Sequence, residues 1–124
     1  DDFAEADVLV CDVSAVAVDW LATDRPLVLT QPGAPDSSEV RSALAGAVTR
    51  LPAGAVDGVA EVLRREVERD ENAGARRAMA EYYLGDITPG SSSRRFLAAC
   101  EAILAGRSPQ VASAVPEGSQ TYPV

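Results

Sequence analysis

The sequence predicts an α/β fold, a partial Rossmann-like parallel sheet of two to three strands with helices. Three observations lead there. Val8-Leu9-Val10-Cys11 and Leu27-Val28-Leu29 are short, continuous apolar runs, the pattern of strands buried on both faces in a parallel sheet. Between them, Val16, Ala17, Trp20 and Leu21 follow helical spacing. The resulting crossover of about a dozen residues is the least that a parallel pair needs.

Taken in order, the first strand lies within Ala6–Asp12, bounded by carboxylates, and Val13-Ser14 breaks it. Asp12 and Ser14 are both suitable N-caps for a helix over 15–22. Thr23-Asp24-Arg25 closes that helix, and Pro26 makes its continuation costly. Leu27 to Thr30 forms the second strand, ended by Gln31-Pro32-Gly33. Ser37 or Ser38 would cap a short helix through Leu44, and Ala47 to Leu51 suits a short edge strand. Val56, Val59, Ala60, Leu63 and Val67 make a helical apolar stripe. A further helix follows Gly74 through Met79 and Tyr83. The last helix starts at Ser91-Ser92-Ser93, carries Phe96, Leu97, Cys100, Ile103 and Leu104 on one face, and stops at Gly106.

The 124 residues suit one modest domain, with 47% hydrophobic and 24% charged residues. Lys and Arg number 11 against 19 Asp and Glu, a formal net charge of −8. An acidic chain lacks the clustered cations that a phosphate backbone requires, so nucleic acid is excluded as a partner. The chain contains no histidine, which removes the commonest general base and the commonest metal ligand. No metal site, no cofactor and no catalytic residue is therefore assigned to it. Cys11 and Cys100 sit in apolar runs and are expected to be buried, reduced thiols, as in a cytoplasmic protein. No apolar run approaches the roughly 20 residues of a membrane span, no signal peptide is visible, and no direct membrane contact is expected.

The turn after the first strand is where the chain could bind a ligand. Open α/β sheets bind ligands beyond the carboxyl ends of their strands. The helix that follows presents free N–H groups and a positive dipole end, suited to a phosphate or diphosphate. Ser14 adds a hydroxyl donor, and the small Ala15 permits close approach. Asp19, in an otherwise apolar helix, could accept hydrogen bonds from ribose hydroxyls. The blander readings stay open and are the commoner cases: Asp12 and Ser14 act as caps only, and Asp19 pairs with Arg25 or is simply exposed.

The block Ala6 to Val16, continued by Asp19-Trp20 and by Asp24-Arg25-Pro26-Leu27-Val28-Leu29, resembles the C-terminal domain of the CDP-glycerol glycerophosphotransferase family, the teichoic acid polymerases. Ser14 matches a family serine, Asp19 a later aspartate, and Arg25-Pro26 a basic-proline pair. Tyr82 to Asp86 and Gly90 to Arg95 resemble the family's closing loop and helix start, with Arg95 at the arginine position. The resemblance covers roughly residues 4–105, weakly over 33–75.

It implies the C-terminal part of a GT-B fold. Residues 1–106 would belong to the nucleotide-donor-binding Rossmann-like domain, and 107–124 would form a disordered tail. CDP-glycerol or another nucleotide-diphospho donor would bind through Ser14, Ala15 and Asp19, with Arg95 adding charge near the phosphates. The parent enzyme would transfer glycerol phosphate to a lipid-linked or polymer acceptor. It would be cytoplasmic and peripheral at the inner face of the membrane. Its catalytic base would lie outside this chain, so the chain by itself is expected to be inactive.

Val13, Ala15 and Pro89 depart from the family pattern, leaving fewer hydroxyls at the turn. Two alternatives follow. One is a GT-B sugar-nucleotide glycosyltransferase or UDP-sugar 2-epimerase-like domain. The other is a non-catalytic, degenerate Rossmann-like binding module.

Overall fold

In the computed structural model, which describes residues 2–31 and 42–109, three strands form one parallel sheet in sequential order. They are β1 (Leu9–Cys11), β2 (Leu27–Gln31) and β3 (Thr49–Pro52). Leu9 pairs with Leu27 and Cys11 with Leu29, while Val28 pairs with Thr49 and Thr30 with Leu51. The α/β class and the parallel sheet thus stand, with the Ala47–Leu51 run supplying the third strand.

Six helices accompany the sheet among the described residues: α1 (Asp2–Glu5), α2 (Ala15–Trp20), α3 (Ala43–Ala47), α4 (Val59–Arg69), α5 (Ala73–Leu84) and α6 (Ser91–Leu104). A 3₁₀ turn, Leu21–Thr23, extends α2, and a kinked 3₁₀ segment, Ala53–Gly58, precedes α4. Paired residues of a parallel ladder share a face, and faces alternate along each strand. Leu9, Cys11, Leu27 and Leu29 therefore point to one side. There they meet Ala17, Trp20 and Leu21, Leu44 and Ala45 of α3, and Met79 of α5 in a single apolar cluster.

Only the central strand matches the expectation of burial on both faces. Leu27, Val28 and Leu29 of β2 are all buried. β1 is at the edge of the sheet: Leu9 and Cys11 are half-buried, and Val10 is 37% exposed. A continuous apolar run therefore does not tell an edge strand from a central one, because edge position depends on the order of strands.

Trp20 is completely buried. Its Nε1–H donates to the carbonyls of Pro26, at 2.9 Å, and Arg25, at 3.2 Å. The Pro26 carbonyl also accepts from Leu9 N–H at 3.1 Å, so one oxygen ties α2 to the β1–β2 ladder. Phe3 of α1 packs edge-on against the Trp20 ring at 5.2 Å between centroids. Arg25 holds α1 in place by donating to the carbonyls of Phe3, Ala4 and Ala6, as cations do at helix carboxyl ends.

A buried arginine on α5 joins the second half of the chain to the first. Arg76 is 1% exposed. Its Nη1 and Nη2 donate to the two carboxylate oxygens of Asp70 at 2.6 and 2.8 Å, and Nη2 also donates to the Asp24 carbonyl at 2.7 Å. Asp24 and Asp70 are the two non-glycine residues with positive φ among the described residues, at 56° and 43°. Both end a helical segment in the left-handed region, which L-residues other than asparagine and aspartate seldom enter. Arg77 adds an exposed pair to the Asp24 carboxylate at 2.9 Å.

Three helix expectations are corrected. The stripe on α4 is rotated: Val56, Ala60 and Val67 are exposed, and the buried residue is Glu66. Thr49 Oγ1 explains this by donating to Glu66 Oε1 at 2.7 Å while accepting from Asn72 Nδ2 at 2.9 Å. This polar chain turns α4 toward β3. The helix before β3 is capped by Ser42, whose Oγ accepts from Ala45 N–H at 3.0 Å; Ser37 and Ser38 lie outside the described residues. α6 is capped by Gly90 at φ 81°, not by a serine, and Ser91 Oγ instead donates to the Asp86 carbonyl.

The stop at Gly106 is as expected. Gly106 N–H bonds Ile103 C=O and Arg107 N–H bonds Ala102 C=O, with Gly106 at φ 69°. This is a Schellman arrangement that only glycine adopts without strain. Of the tail assigned to 107–124, residues 110–124 lie outside the described residues.

Removing Arg76 leaves Asp70 and the Asp24 carbonyl without their donor. Arg76→Ala should lower unfolding stability by about 3 kcal/mol, measured by urea titration, whereas Arg77→Ala, at an exposed pair, should change it by under about 1 kcal/mol. The Arg76 hydrogen bonds hold the Asp70 carboxyl below its ordinary 3.8. The folded protein therefore binds this proton less tightly than the unfolded chain. That stabilisation is complete above the unfolded value and is lost as the pH falls through the folded one. Asp70→Asn should accordingly flatten the loss of stability on acidification below that ordinary value, and an unchanged acid limb would contradict the coupling.

Candidate functional site

The candidate site is the turn from β1 into α2. β1 ends at Cys11, Asp12 and Val13 lead out of the sheet, and Ser14 takes the N-cap position with extended backbone, φ −145° and ψ 172°. Of the two candidate caps, the chain uses Ser14. Its carbonyl accepts from Ala17 N–H at 3.1 Å, closing the first turn. Its side chain makes no capping hydrogen bond. Among the described residues the half-buried Ser14 hydroxyl makes no hydrogen bond, and it lies beside N–H groups that a helix cannot satisfy within itself.

Ala17 and Trp20 bury one face of α2. Ala15, Val16 and Asp19 share the other, since positions three and four apart on a helix are neighbours, and all three are exposed. Asp19 makes no salt bridge with Arg25, whose guanidinium is occupied by the α1 carbonyls. Among the described residues no side chain pairs with the Asp19 carboxylate. It sits more than a turn along the helix from Ser14, and no hydrogen bond joins the two.

Arg95 is engaged elsewhere. Its Nη1 donates to Asp86 C=O at 2.7 Å and its Nη2 to Leu84 C=O at 2.8 Å. The guanidinium thus fastens the loop between α5 and α6. Within that loop the Thr88 N–H holds the Asp86 carboxyl below its ordinary range. No hydrogen bond or ion pair among the described residues links Arg95 to Ser14, Ala15 or Asp19.

Two features of the turn come from the structure. The first is that Asp12, a candidate cap in the sequence, is instead an exposed carboxylate two residues before Ser14. Burial, and after it the Asp12 charge, pushes the Cys11 thiol above its ordinary value. Cys11 is thus a protonated thiol at neutral pH, unsuited to act as a nucleophile. Thr30 Oγ1 donates to the Cys11 carbonyl at 3.3 Å and braces the strand end from β2. The second is an apolar margin, with Val10 exposed on β1 and Val13 and Val16 each 45% exposed. Alternation along β1 faces Val10 outward, and Val16 lies on the face of α2 opposite the buried Ala17 and Trp20, placements that local pattern does not disclose.

The two helix-capping serines differ in a way that stability measurements can read. Ser42→Ala removes a made bond and should cost about 1 kcal/mol. Ser14→Ala removes none and should change stability by less than about 0.5 kcal/mol, the ordinary range for surface substitutions. Equal losses at the two positions would mean that the Ser14 hydroxyl is already used in the fold.

The described residues contain no cluster of three or more His, Cys, Asp or Glu side chains placed to hold a metal ion. They also contain no helix long and apolar enough to cross a membrane. Comparison of the chain with protein-family models, with curated proteins and with solved structures found no match.

Proposed function

We propose that the β1–α2 turn binds the diphosphate of a nucleotide-diphospho donor. In this reading the chain is the donor-binding, C-terminal part of a CDP-glycerol glycerophosphotransferase-like enzyme. The supporting observation is the Ser14 hydroxyl, without a hydrogen-bond partner among the described residues and held at the N-cap of the helix that follows a parallel strand. CDP-glycerol is the favoured donor because of the sequence resemblance. Ser14 Oγ–H and the first N–H groups of α2 would donate to the diphosphate oxygens, and Ala15 would leave room for them. Asp19, unpaired among the described residues, would accept from the ribose. Arg95 has no place in this reading while it holds the α5–α6 loop.

In the parent enzyme an acceptor hydroxyl on a polymer or lipid-linked chain would attack the glycerol-bearing phosphorus, and CMP would leave. The proton would pass to a base outside this chain. The contribution of this chain would be to orient the donor and to hold its charge with fixed dipoles. The reaction would take place on the cytoplasmic side of the membrane, as the resemblance implies.

The sparse hydroxyls at Val13 and Ala15 and the exposed valines around the turn favour a second reading, a binding module that has lost its nucleotide. Titration calorimetry on the chain with CDP-glycerol, CDP and a UDP-sugar separates the readings. The first predicts CDP-glycerol binding that Ser14→Ala weakens by about tenfold, the worth of one hydrogen bond to a charged group. Asp12→Asn should tighten it, by a factor of about five if the carboxylate lies near 4 Å from the anion in water. Equal affinities for the wild type and Ser14→Ala would remove the role given to that hydroxyl. UDP-sugar binding alone would favour the sugar-nucleotide alternative, and no heat with any nucleotide would favour the binding module.

A further inference from the structure

The amphipathicity of α6 is directed away from the molecule. Ser91 and Ala102, which lie three turns apart on one face, are its buried residues. On the opposite face Phe96, Leu97, Ile103 and Leu104 are 68, 59, 62 and 88% exposed, around a half-buried Cys100. An apolar helix face this exposed is the kind of surface that marks an interaction site.

We infer that this face is an interface with a second copy of the chain, the two α6 helices packing antiparallel about a two-fold axis at Cys100. The spacing supports this occupant. Phe96 and Leu104 lie four residues to either side of Cys100, and Leu97 and Ile103 three. The stripe is therefore symmetric about its centre, as an isologous contact requires, since each residue must meet its counterpart's complement on the same surface. Antiparallel packing sets Phe96 and Leu97 of one copy against Leu104 and Ile103 of the other, with the two Cys100 residues facing at the centre.

Charge selects the orientation. At about 100° per residue, Arg94 and Glu101 fall on the same flank of the apolar arc. Antiparallel packing brings Arg94 of each copy within reach of Glu101 of the other. Parallel packing would place this flank of the two copies on opposite sides of the seam, so no Arg94–Glu101 pair would form between them. Neither side chain has an ion-pair partner among the described residues. A helix of 14 residues is about 21 Å long, so the contact is at the small end of specific interfaces and the association is reversible. The interface is independent of any nucleotide bound at the β1–α2 turn.

Sedimentation equilibrium of the chain in reductant, over a concentration series, tests it. A monomer–dimer equilibrium is expected. Leu97→Glu and Leu104→Glu should each raise its dissociation constant by about tenfold or more, as at a central interface residue. Both positions are exposed, so the monomer should keep its circular dichroism spectrum. Arg94→Glu should weaken the dimer, and Arg94→Glu combined with Glu101→Arg should restore it. A short bismaleimide should join two chains in Cys11→Ala but not in Cys100→Ala. A chain that stays monomeric throughout overturns the inference. So does a dimer indifferent to both leucine substitutions and to the charge reversal.

Discussion

The buried guanidinium of Arg76 is the contact on which the described architecture depends. The β1–α2–β2 unit and the α4–α5 pair are distant in sequence, yet each ends a helical segment at an aspartate in left-handed backbone. Arg76 grips both ends, bonding the Asp70 carboxylate with two parallel hydrogen bonds and the Asp24 carbonyl with a third. Its fixed fork suits this geometry, which a lysine ammonium could not reproduce. With α5 held there, Met79 completes the cluster built by Trp20, Leu21, Leu44 and the inward residues of β2. A buried pair of this kind is weak evidence of net stability, and its consequence is geometric: it sets where α5 lies.

A second polar chain does the same for α4. Thr49 passes a hydrogen bond from Asn72 to Glu66, binding β3 to two helices at once. Among the described residues the buried Glu66 Oε2 has no hydrogen-bond partner; the bond from Thr49 to Oε1, not apolar burial, faces this side chain inward. The rotated α4 and the outward-facing α6 share one lesson. A helix can present its apolar stripe away from the fold when polar or small residues supply the packing face.

The β1–α2 turn shows how a strongly acidic chain can still offer an anion site. Arg25, Arg76 and Arg95 are bound to main-chain carbonyls or to carboxylates within the fold, so none of them surrounds the turn. What the turn offers is local: a hydroxyl without a partner among the described residues, helix N–H groups and a small side chain. Asp12 opposes these with a carboxylate at the same place. The balance between fixed dipoles and that one charge decides whether the turn can hold a diphosphate.

Much of the fold was legible in the residues. Continuous apolar runs marked β1 and β2, Asp12 or Ser14 the start of α2, and Gly106 the end of α6, because these depend on local backbone preference and local hydrogen bonding. The candidate turn was marked in the sequence by Ser14, Ala15 and Asp19, and only the coordinates showed that the Ser14 hydroxyl makes no hydrogen bond among the described residues. Strand order decided that β2 is buried on both faces while Val10 of β1 is exposed. Contacts across 52 residues, from Arg76 to Asp24, decided where α5 packs. The same kind of contact committed Arg25 to α1, and a shorter-range one committed Arg95 to a loop, so neither was left for the partner its sequence position suggested. By itself, then, the sequence determined the α/β class, the strand–helix–strand unit and its turn. Which faces are covered and which charges are free was decided by tertiary packing, since burial and pairing depend on residues that the chain brings together only on folding.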